Sequence, residues 1–291
     1  MCDTCGCNRE EPFHVHTGYT DPERTEGHSS HFHIHRSEDG HAHVHGHSHP
    51  HDGIEGDSDP GATRTLAVNR GILGANDRLA EQNRGFFRAK NVRVINLLSS
   101  PGAGKTALLE RTLEDVPDGI RSAVIVGDLA TENDAERLRG RGAEAVQITT
   151  GTLCHLDARM VATAAEALDL EKVDLLFIEN VGNLVCPASF DLGECLRVVL
   201  HSVPEGEDKP LKYPPVFKAA DLVLLTKTDL AEASGFDRDR VLKNLARIAP
   251  QARVIELSSR TGEGMDQWYA YLAEPLEGSG RRQGAAAPQS L

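Results

Sequence analysis

Short apolar runs punctuate the chain from residue 92 onward: Val92–Leu98, Ala123–Val126, Val146–Ile148, Val173–Ile178, Leu222–Leu225 and Val254–Leu257. Each is too short for a helix and rich in β-branched residues, which predicts buried strands. Between most of them lie stretches with apolar residues at helical spacing, near 132–140, 153–168, 237–248 and 264–273, and a further one from Lys105. Another helix is predicted over 64–86, where Leu66, Ile72, Leu73, Leu79 and Phe86 form an imperfect stripe. Apolar strands alternating with helices predict an α/β fold with a mostly parallel sheet covered on both faces. Residues 204–215, with four prolines and several charges, read as a surface loop. No internal repeat is apparent.

The pattern changes sharply near residue 60. Twelve of the fourteen histidines lie in the first 51 residues, among Gly, Asp, Glu and Ser. So few large aliphatics cannot offset the entropy of ordering such a segment. The expected organisation is a flexible Cys/His-rich tail over 1–62, a globular domain over 63–276 and a disordered end over 277–291.

Apolar residues make up 39% and aromatics 4% of the chain, so the core is expected from Leu, Val, Ile and Ala. The net charge of −13 argues against nucleic-acid binding and against docking on anionic membranes. No apolar run approaches the roughly 18 residues of a transmembrane helix, and the start resembles no secretory signal. The cytoplasm is therefore expected, where cysteines stay reduced and clusters of them read as metal ligands.

Ser99-Ser100-Pro101-Gly102-Ala103-Gly104-Lys105-Thr106 follows a predicted strand and opens a helix. It fits the phosphate-binding pattern, with Ser99 in place of the first glycine. Small residues let the amides of Ser100, Gly102, Ala103, Gly104 and Lys105, through Thr106 and Ala107, close around phosphate oxygens at a helix N-terminus. Lys105 should reach the β- and γ-phosphates, and the Thr106 hydroxyl should ligate Mg²⁺. Asp128 and Glu179 each follow an apolar run, at strand ends that would face the phosphates. Either would hold Mg²⁺ or orient the attacking water.

Thr226-Lys227-Thr228-Asp229 follows another apolar run. The Asp229 carboxylate can accept from guanine N1–H and the exocyclic amine, where adenine offers no donor. The Lys227 stem can lie over the base. Ser258-Ser259-Arg260-Thr261-Gly262 resembles the last guanine-nucleotide motif, in which a backbone amide, at Ser259 or Arg260, meets the guanine O6. The plain alternative is an ordinary strand-to-helix loop.

Cys2-x-x-Cys5-Gly6-Cys7 places three thiolates within six residues, suited to a borderline-soft cation; spacing alone does not choose nickel over zinc. The alternating histidines from His31 to His35 and His41 to His51 suggest plural, individually modest metal binding. Cys154-His155 and Cys186 are suggestive of a further site, whereas Cys195 and His201 read as buried structural residues.

Together Cys2–Cys7, the His-rich tail, Ser99–Thr106, Gly151–His155, the string ENVGNLVCP over 179–187, Thr226–Asp229 and 258–264 resemble the HypB family of hydrogenase-maturation GTPases. The resemblance spans residues 1 to about 275. It implies a P-loop GTPase that dimerises according to its nucleotide and metal state and turns over GTP slowly. It implies a nickel site at Cys2, Cys5 and Cys7, and a nickel or zinc site at Cys154, His155 and Cys186. It also implies that the protein stores or carries nickel and delivers it under GTP control. The implied partners are a HypA-type nickel protein and the [NiFe]-hydrogenase large-subunit precursor. Two other readings stand beside it: a urease-type or cobalt/zinc accessory GTPase, and a metal-storage protein with a vestigial GTPase domain.

Overall fold

The computed structural model describes residues 14–17, 60–115, 120–129 and 133–274; for 14–17 and 60–72 the description is of the backbone. Among the described residues eight strands form one sheet: β1 (His14–Thr17), β2 (Arg93–Ser99), β3 (Ser122–Asp128), β4 (Glu144–Thr149), β5 (Leu175–Glu179), β6 (Leu196–Ser202), β7 (Leu222–Thr226) and β8 (Arg253–Glu256). Their order is β1-β4-β3-β5-β2-β6-β7-β8. Strands β2 to β8 are parallel, and β1 pairs antiparallel with β4. The helices are α1 (Pro60–Ala89), α2 (Lys105–Asp115), α3 (Asn133–Arg139), α4 (Ala158–Ala165), α5 (Lys209–Lys212), α6 (Pro214–Lys218), α7 (Ala231–Ser234), α8 (Arg238–Ile248) and α9 (Met265–Ala273).

The expected fold class holds, because the central strands bury both faces. Ile95 and Leu97 of β2 pack with Leu108 and Leu109 of α2, Leu138 of α3 and Trp268 of α9. The alternate residues face the opposite layer, where Val94 joins Phe87 of α1 and Val161 of α4, and Leu98 joins Phe217 of α6 and Leu245 of α8. Such double burial is what makes a parallel strand read as an unbroken apolar run.

Three features differ from the sequence reading. Strand β6 went unpredicted because Arg197 and His201 interrupt its apolar run. Arg197 is accommodated by Glu194 at 2.7 Å and the Phe190 carbonyl at 3.2 Å. Residues 204–215 were expected as loop, yet α5 lies within them and α6 begins there, each with proline in its first turn, where its missing N–H is harmless. Within the segment expected as tail, β1 adds an antiparallel edge, with His14 opposite Thr149. Cys2, Cys5, Cys7, the histidines from His28 to His51 and the end over 277–291 lie outside the described residues.

Strand β2 sits between β5 and β6; the crossover from β2 runs to β3 on one side, and the later crossover from β5 runs past β2 to β6 on the other. The carboxyl end of β2 is therefore at a topological switch point, where open parallel sheets bind ligands.

Candidate nucleotide and metal site

The loop from β2 to α2 turns through Gly102 and Gly104, at φ +73° and +102°. Those are left-handed conformations that favour glycine. Lys105 opens α2 and is buried. Its Nζ donates to the Ser99 Oγ at 3.0 Å, and the Ser99 hydroxyl donates to the Ser100 carbonyl at 2.6 Å. Ser99, the departure from the glycine pattern, thus provides a resting acceptor for the lysine. Burial pushes the Lys105 ammonium below its ordinary value, against the opposing pull of Glu179. Ala107 lies exposed in the first turn of α2.

Glu179 ends β5 and is buried. Its Oε1 accepts from the Thr106 Oγ1 at 2.8 Å, and its Oε2 is buried without a hydrogen-bond partner. Burial pushes its carboxyl up to about 7, with Lys105 and Thr106 pulling the other way. An orphaned carboxylate oxygen beside a threonine hydroxyl suits a hard divalent cation such as Mg²⁺. Asp128 ends β3, half-buried, and its carbonyl accepts from the Thr150 amide at 2.9 Å. Lys105 feels the charge of Asp128 as well as that of Glu179, so the acidic residues predicted from the strand ends do gather at the phosphate loop.

On the other side of that loop stand the residues predicted for the base. The Thr226 Oγ1 donates to the Ala103 carbonyl at 2.7 Å, so this second departure still ties its motif to the phosphate loop. Lys227, at φ +60°, extends its Nζ to the Gly102 carbonyl at 2.7 Å. Exposed Asp229 accepts from the Ser258 Oγ at 2.6 Å, which joins the two base motifs. Ser259 and Arg260 follow in the same turn, half-buried and exposed.

Cys154, His155 and Cys186 come together although thirty residues of chain separate the last two: one ligand atom from each lies within 4.8 Å of the others. His155 is buried and stacks on Phe190 at 3.9 Å between centroids. Burial holds its pKa below the ordinary value, opposed by Asp157, and its Nδ1 has no hydrogen-bond partner. A neutral imidazole with a free nitrogen between two thiols is a ligand set for nickel or zinc.

Contacts that sequence reasoning missed join this site to the nucleotide loops. Buried Asn180, next to Glu179, accepts from the Val181 amide at 3.0 Å and from the Leu156 amide at 3.3 Å. Its Nδ2 donates to the Asn96 Oδ1 on β2 at 3.3 Å. Asn183 donates to the Cys154 carbonyl at 3.4 Å. Gly182 lies so near the phosphate loop that a Cβ there would stand 3.0 Å from the Pro101 Cα. Helix α1 braces the far side: Asn83 donates to the Ala158 and Leu192 carbonyls at 2.7 and 3.0 Å. Arg84 grips both Asp191 oxygens at 2.8 Å, next to the ring on which His155 stacks. The only advance signal was the position of Asn180 and Gly182 inside the ENVG string.

The architecture and the loop define a P-loop nucleotide-binding protein, and residues 93–256 match the CobW/HypB/UreG nucleotide-binding domain. Among curated relatives, hydrogenase maturation factor HypB of Rhizobium leguminosarum is 51% identical over 76% of this chain and 74% of its own. That of Escherichia coli K12 is 52% identical over 72% of each chain. The crystal structure of HypB from Helicobacter pylori in complex with nickel is 42% identical with a TM-score of 0.66, covering 68% of this chain and 93% of that one. The chain belongs to the HypB family of hydrogenase maturation factors.

Proposed function

We propose that this chain is a GTPase that carries nickel and releases it, under nucleotide control, into the precursor of a [NiFe]-hydrogenase large subunit. One observation carries the reading: a single stretch of chain, 179–186, serves both sites. It begins at Glu179, which receives the Thr106 hydroxyl, abuts Pro101 through Gly182, and ends at Cys186 beside Cys154 and His155.

In this reading the amides of Ser100 and of residues 102–107, with Lys105, hold the β- and γ-phosphates of GTP. Thr106 and Asp128 hold Mg²⁺, with Glu179 behind them; the ion would neutralise charge on the phosphates. Glu179 or Asp128 orients the attacking water. Asp229 selects guanine, the Lys227 stem covers it, and an amide at Ser259 or Arg260 meets its O6. Turnover is slow, as in a switch that works without an arginine finger.

Nickel is cargo. Cys154, His155 and Cys186 bind it, and zinc competes for the same thiolates. Cys2, Cys5 and Cys7 form a second site, and the tail histidines a store. Exposed Val185, next to Cys186, and exposed Leu129, next to Asp128, offer apolar surface that a second copy would cover in a nucleotide- and metal-dependent homodimer. A HypA-type nickel protein and the hydrogenase precursor are the remaining partners, met in the cytoplasm. Among the described residues no helix is long and apolar enough to cross a membrane.

The test is hydrogenase maturation in cells lacking this protein. Activity should be lost, return with the intact gene, and return in part with excess nickel. Normal maturation without the protein at low nickel would overturn the proposal.

A further inference from the structure

Three lysines converge on the phosphate loop. Lys105 donates to the Ser99 Oγ at 3.0 Å, and Lys227 donates to the Gly102 carbonyl at 2.7 Å. The third is Lys209, whose Nζ donates to the Ser100 Oγ at 3.0 Å. The first two have roles in the reading above. Lys209 has none, and it comes from α5, more than a hundred residues downstream.

Its setting is built. The Nζ also lies 3.2 Å from the Glu205 Oε1 and 5.1 Å from the centre of the Tyr213 ring. Glu205 is fixed in turn: its Oε2 accepts from the Ser202 amide at 2.8 Å and the Ser202 hydroxyl at 3.0 Å. Burial opposes ionisation of Glu205, but hydrogen bonds from Ser100, Ser202 and Lys209 outweigh it and hold the carboxyl below its usual range. The carboxylate therefore aims a charged amine at the second residue of the loop. A serine hydroxyl is a weak neutral partner for that amine, and a phosphate oxygen is a stronger one.

Position selects which phosphate. Ser100 precedes Pro101, and Pro101 is the residue against which Gly182 packs. Gly182 follows Glu179, the carboxylate that takes the Thr106 hydroxyl. Lys209 thus approaches the loop from its β2 end, on the side where the Glu179–Gly182 stretch closes. Lys105, at the start of α2, approaches from the other end. In a loop that wraps a diphosphate around a helix N-terminus, the end away from the helix is where a third phosphate projects.

We propose that Lys209 is a second phosphate-reading lysine, which exchanges its contact with the Ser100 hydroxyl for an oxygen of the terminal phosphate of a nucleoside triphosphate. This rests on the nucleotide reading above and deepens it. A diphosphate leaves Lys209 on Ser100, so Lys209 distinguishes the two nucleotide states. Because only residues 203–208, including the Glu205 turn, separate β6 from α5, the exchange would tighten the 203–213 segment on the loop in the triphosphate state alone.

The experiment measures binding of GDP and of a non-hydrolysable GTP analogue, with Mg²⁺, to the full chain and to K209M and K209R. Met keeps an unbranched aliphatic side chain and removes the charge. K209M should lose about tenfold or more in affinity for the triphosphate analogue, as one charge-assisted hydrogen bond to phosphate predicts, while GDP affinity stays within about twofold. K209R should recover part of the loss. An equal loss for both nucleotides would make Lys209 a structural tie and overturn the proposal. No loss for either would overturn it as well, while leaving the nucleotide reading intact. If the unaltered chain binds neither nucleotide, the nucleotide reading fails and the proposal with it.

Discussion

Asn180→Ala tests the link between the nucleotide and metal sites at one buried side chain. The amide satisfies the Val181 and Leu156 N–H groups at 3.0 and 3.3 Å and gives one hydrogen bond to Asn96 at 3.3 Å. Alanine leaves two amide donors and one amide oxygen without partners in a position only 1% exposed. Each unsatisfied buried group costs about 1 kcal/mol at these long distances, and the void adds about 1 more, so the loss should be about 3–4 kcal/mol. Denaturant unfolding of the variant and parent measures it. The functional consequence is separate. The Leu156 amide bond to Asn180 ties the Cys154–Leu156 turn to the end of β5, beside the Asn183 bond to the Cys154 carbonyl, so nickel affinity should respond to nucleotide less in the variant than in the parent. A loss below about 1 kcal/mol, inside the range of ordinary surface changes, together with undiminished coupling, would refute the reasoning.

Further outcomes follow from the same geometry. Lys105→Ala should abolish GTP hydrolysis and hydrogenase maturation while the chain stays folded, as circular dichroism and a turnover assay would show; near-normal hydrolysis contradicts the assignment. Asp229→Asn should favour xanthine over guanine nucleotide and weaken GTP binding by about 2–4 kcal/mol; equal ATP and GTP affinity in the parent would refute guanine selection. Glu179, raised to about 7 by burial, must shed its proton to serve the cation, so Mg²⁺·GTP affinity should rise between about pH 6 and pH 8 and binding should release protons. The Glu179→Gln variant should lose that pH dependence, which calorimetry in buffers of different ionisation heat would detect.

Much of this molecule is legible in sequence because its chemistry is local. The phosphate loop is contiguous, and its strand-loop-helix context is written in the flanking apolar run and in the two glycines at positive φ. The doubly buried strands announced themselves as apolar runs, and β6 did not, because half-buried Arg197, held by Glu194 and the Phe190 carbonyl, and buried His201, edge-on to Phe217, interrupt its run. The proximity of Cys186 to Cys154 and His155 was suggested by resemblance to a family, and the ligand atoms do lie within 4.8 Å of one another. The contacts of Asn180, Gly182 and Lys209 were not legible: each depends on which strand ends lie side by side, and no spacing along the chain encodes that. Ser99 and Thr226 read as departures from their motifs, yet each hydroxyl bonds within the phosphate loop, a compensation visible only in three dimensions.

The central claim is that nucleotide state sets nickel affinity at Cys154, His155 and Cys186. The most direct test is a nickel titration of the chain lacking residues 1–59, which removes Cys2, Cys5, Cys7 and the tail histidines, in GDP and again in a non-hydrolysable GTP analogue. The account predicts two separated curves, differing by about 5- to 150-fold in affinity, with nickel changing the affinity for the analogue by the same factor. Cys186→Ala should abolish the difference and leave nucleotide binding in place. Coincident curves would contradict the account and leave a nucleotide-binding domain that merely holds a metal.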